Sequence, residues 1–311
     1  MQQTIPVLIA IGMGVVYSSI AGSHAAAYQY RAAFKSGVDV VTLNVTVTDG
    51  SKRYVPDLTA GDFMVFENGR KQDVTFFQKE ALPLALVLLL DTSSSMAAAL
   101  PTAQEAAIHL VHELEPDDVA SVMSFDSTVR ALQAFTNDRA LLESAIRKTE
   151  PDGMTVLYNA VYIALRHVNT AARYSANSEP RRRALVVLSD GRDTSSLLRF
   201  DDVLDLSARS DAAIYSIGLR LPSAEADGPD GARNVLTRLA QQTGGRAFFP
   251  EQAGLLIDVY REIKRELSNQ YALAYESNNV QKDGRFRQIA VRVSRVGVVA
   301  RTRPGYFGPL H

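Results

Sequence analysis

Five short apolar runs constrain this chain more than any other feature: 84–90, 119–125, 184–188, 212–219 and 247–249 are strand-length and lack the polar alternation of a half-exposed strand. Strands of that kind are buried on both faces, as in a parallel sheet covered by helices. Helical spacing between and after the runs predicts helices over 97–114, 139–148, 156–170, 200–210, 234–243 and 253–269. In the first of these Ile108, Val111 and Leu114 share one face, which leaves His109 and His112 on the surface. The predicted core is therefore an α/β domain with a doubly wound, mostly parallel sheet.

The segments on either side follow a different period. Val41, Leu43, Val45 and Val47 alternate with Thr42, Asn44, Thr46 and Thr48, which is the pattern of a half-buried strand. Residues 63–66 and 74–77 flank Glu67-Asn68-Gly69-Arg70, and Asn-Gly is a strong hairpin signal because both residues tolerate positive φ. Near the other end Ile289, Val291 and Val293 alternate with Ala290, Arg292 and Ser294, and 298–301 follow a Val296-Gly297 turn. Neither set has enough strands for a core of its own. The expected organisation is a leader at 1–27, an N-terminal β segment at 28–80, the α/β domain at 81–270, and a C-terminal β segment at 271–311 that pairs with the first in a small sandwich-like module.

The leader is read from an apolar stretch at 5–20 that runs into Ala21-Gly22-Ser23-His24-Ala25-Ala26-Ala27, where small residues suit a signal peptidase. Its front end offers only the α-amino charge, so a retained single-span anchor is the alternative. No later apolar run approaches the roughly 20 residues of a membrane helix. The protein is expected outside the cytoplasm, periplasmic or extracellular. With 33 basic and 34 acidic side chains the formal charge is -1, and no global field favours nucleic acid or an anionic membrane. The one basic cluster, Arg181-Arg182-Arg183, reads as a solvated lead-in to a buried strand. The absence of cysteine excludes disulfides and thiolate metal sites.

Chemistry concentrates where the first buried strand ends, at Asp91-Thr92-Ser93-Ser94-Ser95-Met96, because loops at the carboxyl ends of parallel strands bind ligands in open α/β sheets. Asp91, Ser93 and Ser95 can turn toward one point. A hard cation such as Mg²⁺ takes oxygen ligands and keeps several waters, so two hydroxyls with water-bridged carboxylates suit it. Serines at a helix start can equally cap free N–H groups, and this pattern alone serves both readings. Gly153-Met154-Thr155 lies just ahead of a helix, and Ser189-Asp190-Gly191 ends another buried strand.

Together these residues resemble the von Willebrand factor type A family, whose metal-ion-dependent adhesion site joins an Asp-x-Ser-x-Ser loop, a Thr from a second loop and an Asp from a third. The resemblance covers roughly 84–267 and implies a Rossmann-like fold. It also implies a site in which Ser93, Ser95 and Thr155 hold Mg²⁺, or Mn²⁺ or Ca²⁺, directly, with Asp91 and Asp190 acting largely through water. Met154 departs from the family, many of whose members have a second glycine there. Asp193, Thr194, Ser195 and Ser196 could help to hold the metal, although a cap for the following helix is the better reading. The flanks resemble a bacterial subgroup of secreted proteins in which Asp62-Phe63 to Gly69 opens, and Arg303-Pro304-Gly305-Tyr306-Phe307 closes, the chain around such a domain.

A serine hydrolase needs a base in reach of its nucleophile. The five histidines are His24 in the leader, His109 and His112 on a helix surface, His167 late in another helix and the terminal His311, and no Walker-type loop or histidine metal motif is present. An enzyme, such as a metal-dependent hydrolase, is thus the weakest reading. The resemblance implies a binding protein that captures an exposed Asp or Glu of a protein partner in an open position on the cation. A structural component of a cell-envelope assembly with an incidental metal is the alternative.

Overall fold

The computed structural model describes residues 40–79, 82–174, 181–219 and 231–310. The predicted leader lies outside them, as does most of 221–232, a stretch rich in Pro, Gly and Asp that reads as a linker. Among the described residues no helix is long and apolar enough to cross a membrane.

The chain enters through β1 (Val40–Asp49), β2 (Phe63–Glu67), β3 (Arg70–Gln72) and β4 (Val74–Gln78). The Asn-Gly signal marks a real turn, with Asn68 at φ 46 and Gly69 at φ 78. Its arms are β2 and β3. The expected second arm, 74–77, is instead β4, which leaves for another sheet. Phe76 is buried there in an apolar cluster with Ala272 and Ala274, an environment that the outer edge of a hairpin would not supply.

Six strands then form one sheet: β5 (Leu84–Asp91), β6 (Val119–Phe125), β7 (Val129–Thr136), β8 (Arg182–Ser189), β9 (Ala213–Gly218) and β10 (Ala247–Phe248). Their order is β10-β9-β8-β5-β6-β7, parallel throughout except for β7. Every residue of β5, β6 and β9 is buried, which is why their sequences show no alternation. The helices are α1 (Leu100–His112), α2 (Arg139–Arg147), α3 (Leu157–Val168), α4 (Phe200–Arg209), α5 (Ala232–Gln242) and α6 (Leu256–Ser268). The α1, α2 and α6 helices pack with Leu84, Leu86, Leu88 and Leu90 on one face. The α3, α4 and α5 helices cover Ala85, Val87 and Leu89 on the other. The first helix is shorter than the expected 97–114, because 97–99 continue the turn that begins as a 3-10 segment at 94–96 and 113–114 fall beyond its end.

The chain closes with β11 (Tyr271–Glu276), β12 (Phe286–Val293), β13 (Val298–Arg301) and β14 (Gly305–Phe307). Two four-stranded sheets result, β13-β1-β11-β4 and β14-β12-β2-β3. Each mixes strands from both ends of the chain. Their facing sides share one core, in which Val41, Leu43, Val45, Tyr271 and Leu273 of the first sheet meet Phe63, Val65 and Ile289 of the second. The Val296-Gly297 turn carries the chain from the second sheet to the first, so β12 and β13 do not pair.

The two layers of the molecule are pinned together at Gly244 and Gly245. Arg301 Nη1 donates to both carbonyls, and a Cβ on Gly245 would lie 1.9 Å from the backbone oxygen of Ile214. Backbone atoms cannot yield as a side-chain tip can. Gly245→Ala is therefore expected to lower stability by about 1–3 kcal/mol, the usual cost of overpacking, and an unchanged thermal midpoint would refute the close approach of Gly245 to Ile214 of β9.

Candidate functional site

The strand order reverses at β5, which has β8 on one side and β6 on the other. A crevice opens at such a switch point outside the carboxyl ends of the strands. Asp91 is the last residue of β5 and Asp190 follows β8. The loops are tied together by backbone hydrogen bonds: Thr92 N donates to Phe125 O, Asp152 N to Thr92 O, Ser94 N to Gly153 O, and Thr194 N and Ser195 N to Thr155 O.

Asp91 is fully buried. Its Oδ1 accepts from Ser93 N at 2.9 Å and its Oδ2 from Ser189 Oγ at 2.6 Å. Burial pushes its carboxyl up to about 6, against those hydrogen bonds, and the nearby Asp190 charge adds to the rise. Ser93 Oγ and Ser95 Oγ lie 3.0 Å apart, and neither the 3-10 turn nor α1 has a side-chain cap. The capping reading of these serines thus finds no hydrogen bond here. Asp190 Oδ1 accepts from Arg192 N at 3.0 Å, but its buried Oδ2 has no partner. Thr155 is buried, and its N–H donates to Thr194 Oγ1 at 3.0 Å.

The raised Asp91 value has a consequence for the metal-free protein. A carboxyl whose folded value lies above its unfolded 3.8 stabilises the fold fully below pH 3.8, and that contribution is lost as pH rises through about 6. In metal-free buffer the stability difference between the parent and Asp91→Asn should shift in favour of the parent as pH falls from 7 to 5. A pH-independent difference would contradict the assigned burial.

Four supporting residues carry no motif of their own. Ser189 was legible only as the neighbour of Asp190, yet it holds Asp91. Ser127 Oγ accepts from Met154 N at 2.9 Å, and a Cβ on Gly153 (φ 67) would meet that oxygen at 2.5 Å, so a side chain at 153 would push this turn apart. Met154 itself is exposed. Asp193 and Ser196 do cap a helix, but it is α3 and not the following α4: Asp193 Oδ1 accepts from Tyr158 N at 3.1 Å and Ser196 Oγ from Asn159 N at 3.1 Å.

The described histidines, His109, His112 and His167, sit elsewhere. His109 and His112 face Glu113 and Glu143 on the surface. His167 Nε2 lies 2.9 Å from Ser121 Oγ, a pairing invisible in the sequence. Ser121 is completely buried, however, and donates to Gln133 O at 2.6 Å. A sealed hydroxyl whose proton is already committed has no access to substrate.

A doubly wound sheet with three oxygen-bearing loops at its switch point defines a class, and residues 86–192 match the von Willebrand factor type A domain. The α/β domain, here the A domain, is thus similar over 86–192 to von Willebrand factor type A domains. A UPF0353 protein of Mycolicibacterium vanbaalenii is 28% identical over 144 residues, which cover 44% of this chain and 42% of that protein. An uncharacterized protein of Synechocystis is 24% identical over 196 residues, or 60% of this chain and 42% of that protein. The chain thus spans about two fifths of the length of these relatives. Among solved structures, a von Willebrand factor type A protein from Catenulispora acidiphila superimposes with a TM-score of 0.50 at 13% identity, covering 89% of this chain and 76% of the other. That likeness concerns the fold.

Proposed function

We propose that the protein is an exported binding module whose A domain holds a divalent cation and uses it to capture an acidic group of a protein partner. The observation that carries this reading is the buried, unpartnered Asp190 Oδ2, on a loop cluster that also holds the buried Asp91 and the Ser93–Ser95 hydroxyl pair. An orphaned carboxylate oxygen is costly to bury, and a cation, or water on a cation, removes the cost. Among the described residues no cluster of three His, Cys, Asp or Glu side chains is built for metal. A cation here would therefore rely on hydroxyls, which suits a hard ion such as Mg²⁺, with Mn²⁺ or Ca²⁺ as alternatives.

Ser93, Ser95 and Thr155 would hold the ion, with Asp91 and Asp190 behind them. When bound, the ion supplies an electrophilic position that a carboxylate can occupy, because neutral ligands leave much of its charge uncompensated. The apolar stretch at 5–20 supports export.

Calorimetric titration with Mg²⁺ and Mn²⁺ tests the site: the parent should bind, and Ser93→Ala with Ser95→Ala should not. An unchanged titration in the double variant would remove the assignment. Partner capture from an envelope extract should then be lost on chelation and in Thr155→Ala, by a factor of about thirty or more for a desolvated charge contact. Capture that survives chelation would sink the mechanism.

A further inference from the structure

At the opposite end of the sheet from Asp190, a cavity of about 660 Å³ lies between the A domain and the β sandwich. The β8 strand runs from Arg182 to Ser189, so at about 3.3 Å per residue roughly 25 Å separates this cavity from the candidate cation site. Arg181, Arg182, Arg183, Arg209 and Arg303 line it, against the single acid Asp211. This is not the solvated lead-in that the sequence suggested. Arg182 is only 8% exposed.

Local partners answer part of that charge. Arg303 bonds Asp211 at 3.0 Å and Thr42 O at 2.9 Å. Arg209 is held by Asp205 at 2.9 Å. Arg182 Nε donates to Leu82 O at 2.8 Å, and Arg183 reaches Asn169 Oδ1 only at 3.4 Å and Asp211 only at 4.0 Å. Arg181 donates to the carbonyl of Asp117. Three guanidinium nitrogens remain buried without any partner: Arg181 Nε, Arg182 Nη1 and Arg303 Nε. Asp211 answers the charge of Arg303, and Asp118 acts on Arg182 electrostatically, so what these nitrogens leave unmet is hydrogen-bonding capacity, which is costly to bury.

The other wall is apolar. Val40, Phe76, Leu82 and Ala272 line the same cavity, and these residues form a small cluster of their own at its edge. A volume of this size, with an apolar wall facing converging polar groups, is that of a small-molecule site.

We propose that this cleft binds an amphiphilic oxyanion, a carboxylate or phosphate on an apolar body, with Arg182, Arg183 and Arg303 taking the anion and the Phe76–Leu82 wall taking the body. Guanidinium forks match both head groups. The site is independent of the cation site, and both could be filled at once.

Titration calorimetry of the full chain in metal-free buffer, with phenyl phosphate, benzoate, inorganic phosphate and phenol as probes, tests this. Phenyl phosphate or benzoate should bind saturably and at least about tenfold more tightly than inorganic phosphate, and phenol should not bind. Tighter binding of the first assigns a phosphate head group; tighter binding of the second assigns a carboxylate. Arg183→Gln, which loses only long contacts, should weaken the better probe about tenfold without moving the thermal midpoint. Arg182→Met should do the same or more if it folds, and the exposed Arg70→Gln should change nothing. No saturable binding at millimolar probe overturns the proposal. So does binding that Arg183→Gln leaves intact, or inorganic phosphate binding as tightly as phenyl phosphate.

Discussion

Arg287→Met is expected to lower the free energy of unfolding by about 3–5 kcal/mol, the usual result of removing one partner from a buried charge pair. Arg287 and Glu67 are 1% and 2% exposed. Glu67 Oε2 accepts from Tyr275 at 2.9 Å and Tyr306 at 3.0 Å, and Oε1 from Ser277 at 2.8 Å. Arg287 donates to Ser277 Oγ, Asn279 O, Tyr306 Oη and Gln281 O. Burial and the Glu67 charge push the Tyr275 hydroxyl up, so it remains a donor across the working pH range. Without the guanidinium, Glu67 stays buried with its charge uncompensated. Adding Glu67→Gln should therefore restore part of the loss, and additive effects in urea unfolding would show that the two do not act as a pair.

Deletion of 285–307 should have a larger and more local effect. It removes β12 and β14 from one sheet and β13 from the other, so β2 loses its long partner and β1 one of its two. The remaining strands cannot keep Val45, Phe63 and Val65 from water. Trypsin should then cut rapidly at Arg53, Arg70, Lys71 and Lys79, while the A-domain sheet stays protected by its own helices. Residues 40–79 as resistant as in the parent would mean that the C-terminal strands do not hold the sandwich together.

The parts of the fold that could be read from residues are those in which burial is uniform along an element. The β5, β6 and β9 strands are buried on both sides, and their sequences say so. The β7 strand was missed because it is an edge strand with only Phe135 buried, so its eight residues carry neither alternation nor a continuous run. The path of β4 was missed because Asn68-Gly69 fixes a turn but not which later residues form its second arm. Arg182 was misread because three successive arginines look like solvent, and only tertiary packing around the amino end of β8 buries the middle one. At the candidate site Asp91, Ser93, Ser95, Thr155 and Asp190 could be named because each closes a strand or opens a helix. The roles of Ser127 and Ser189 could not, and Asp193 was given the wrong helix to cap, since what each holds lies on another loop.

The splitting of the sandwich between the two ends of the chain also sets an order of events during synthesis. Glu67 must wait for Tyr275, 208 residues further on, which at about 5–20 residues per second is a delay of roughly 10–40 s. Over that interval 40–48, an uncharged run of Val, Leu, Thr and Asn without proline, has no strand to pair with. Such a segment is a ready template for another chain. The A domain, whose strands are all made before residue 249, can form while the sandwich is still open. The nascent protein therefore depends on whatever shields its first strand until its last ones arrive.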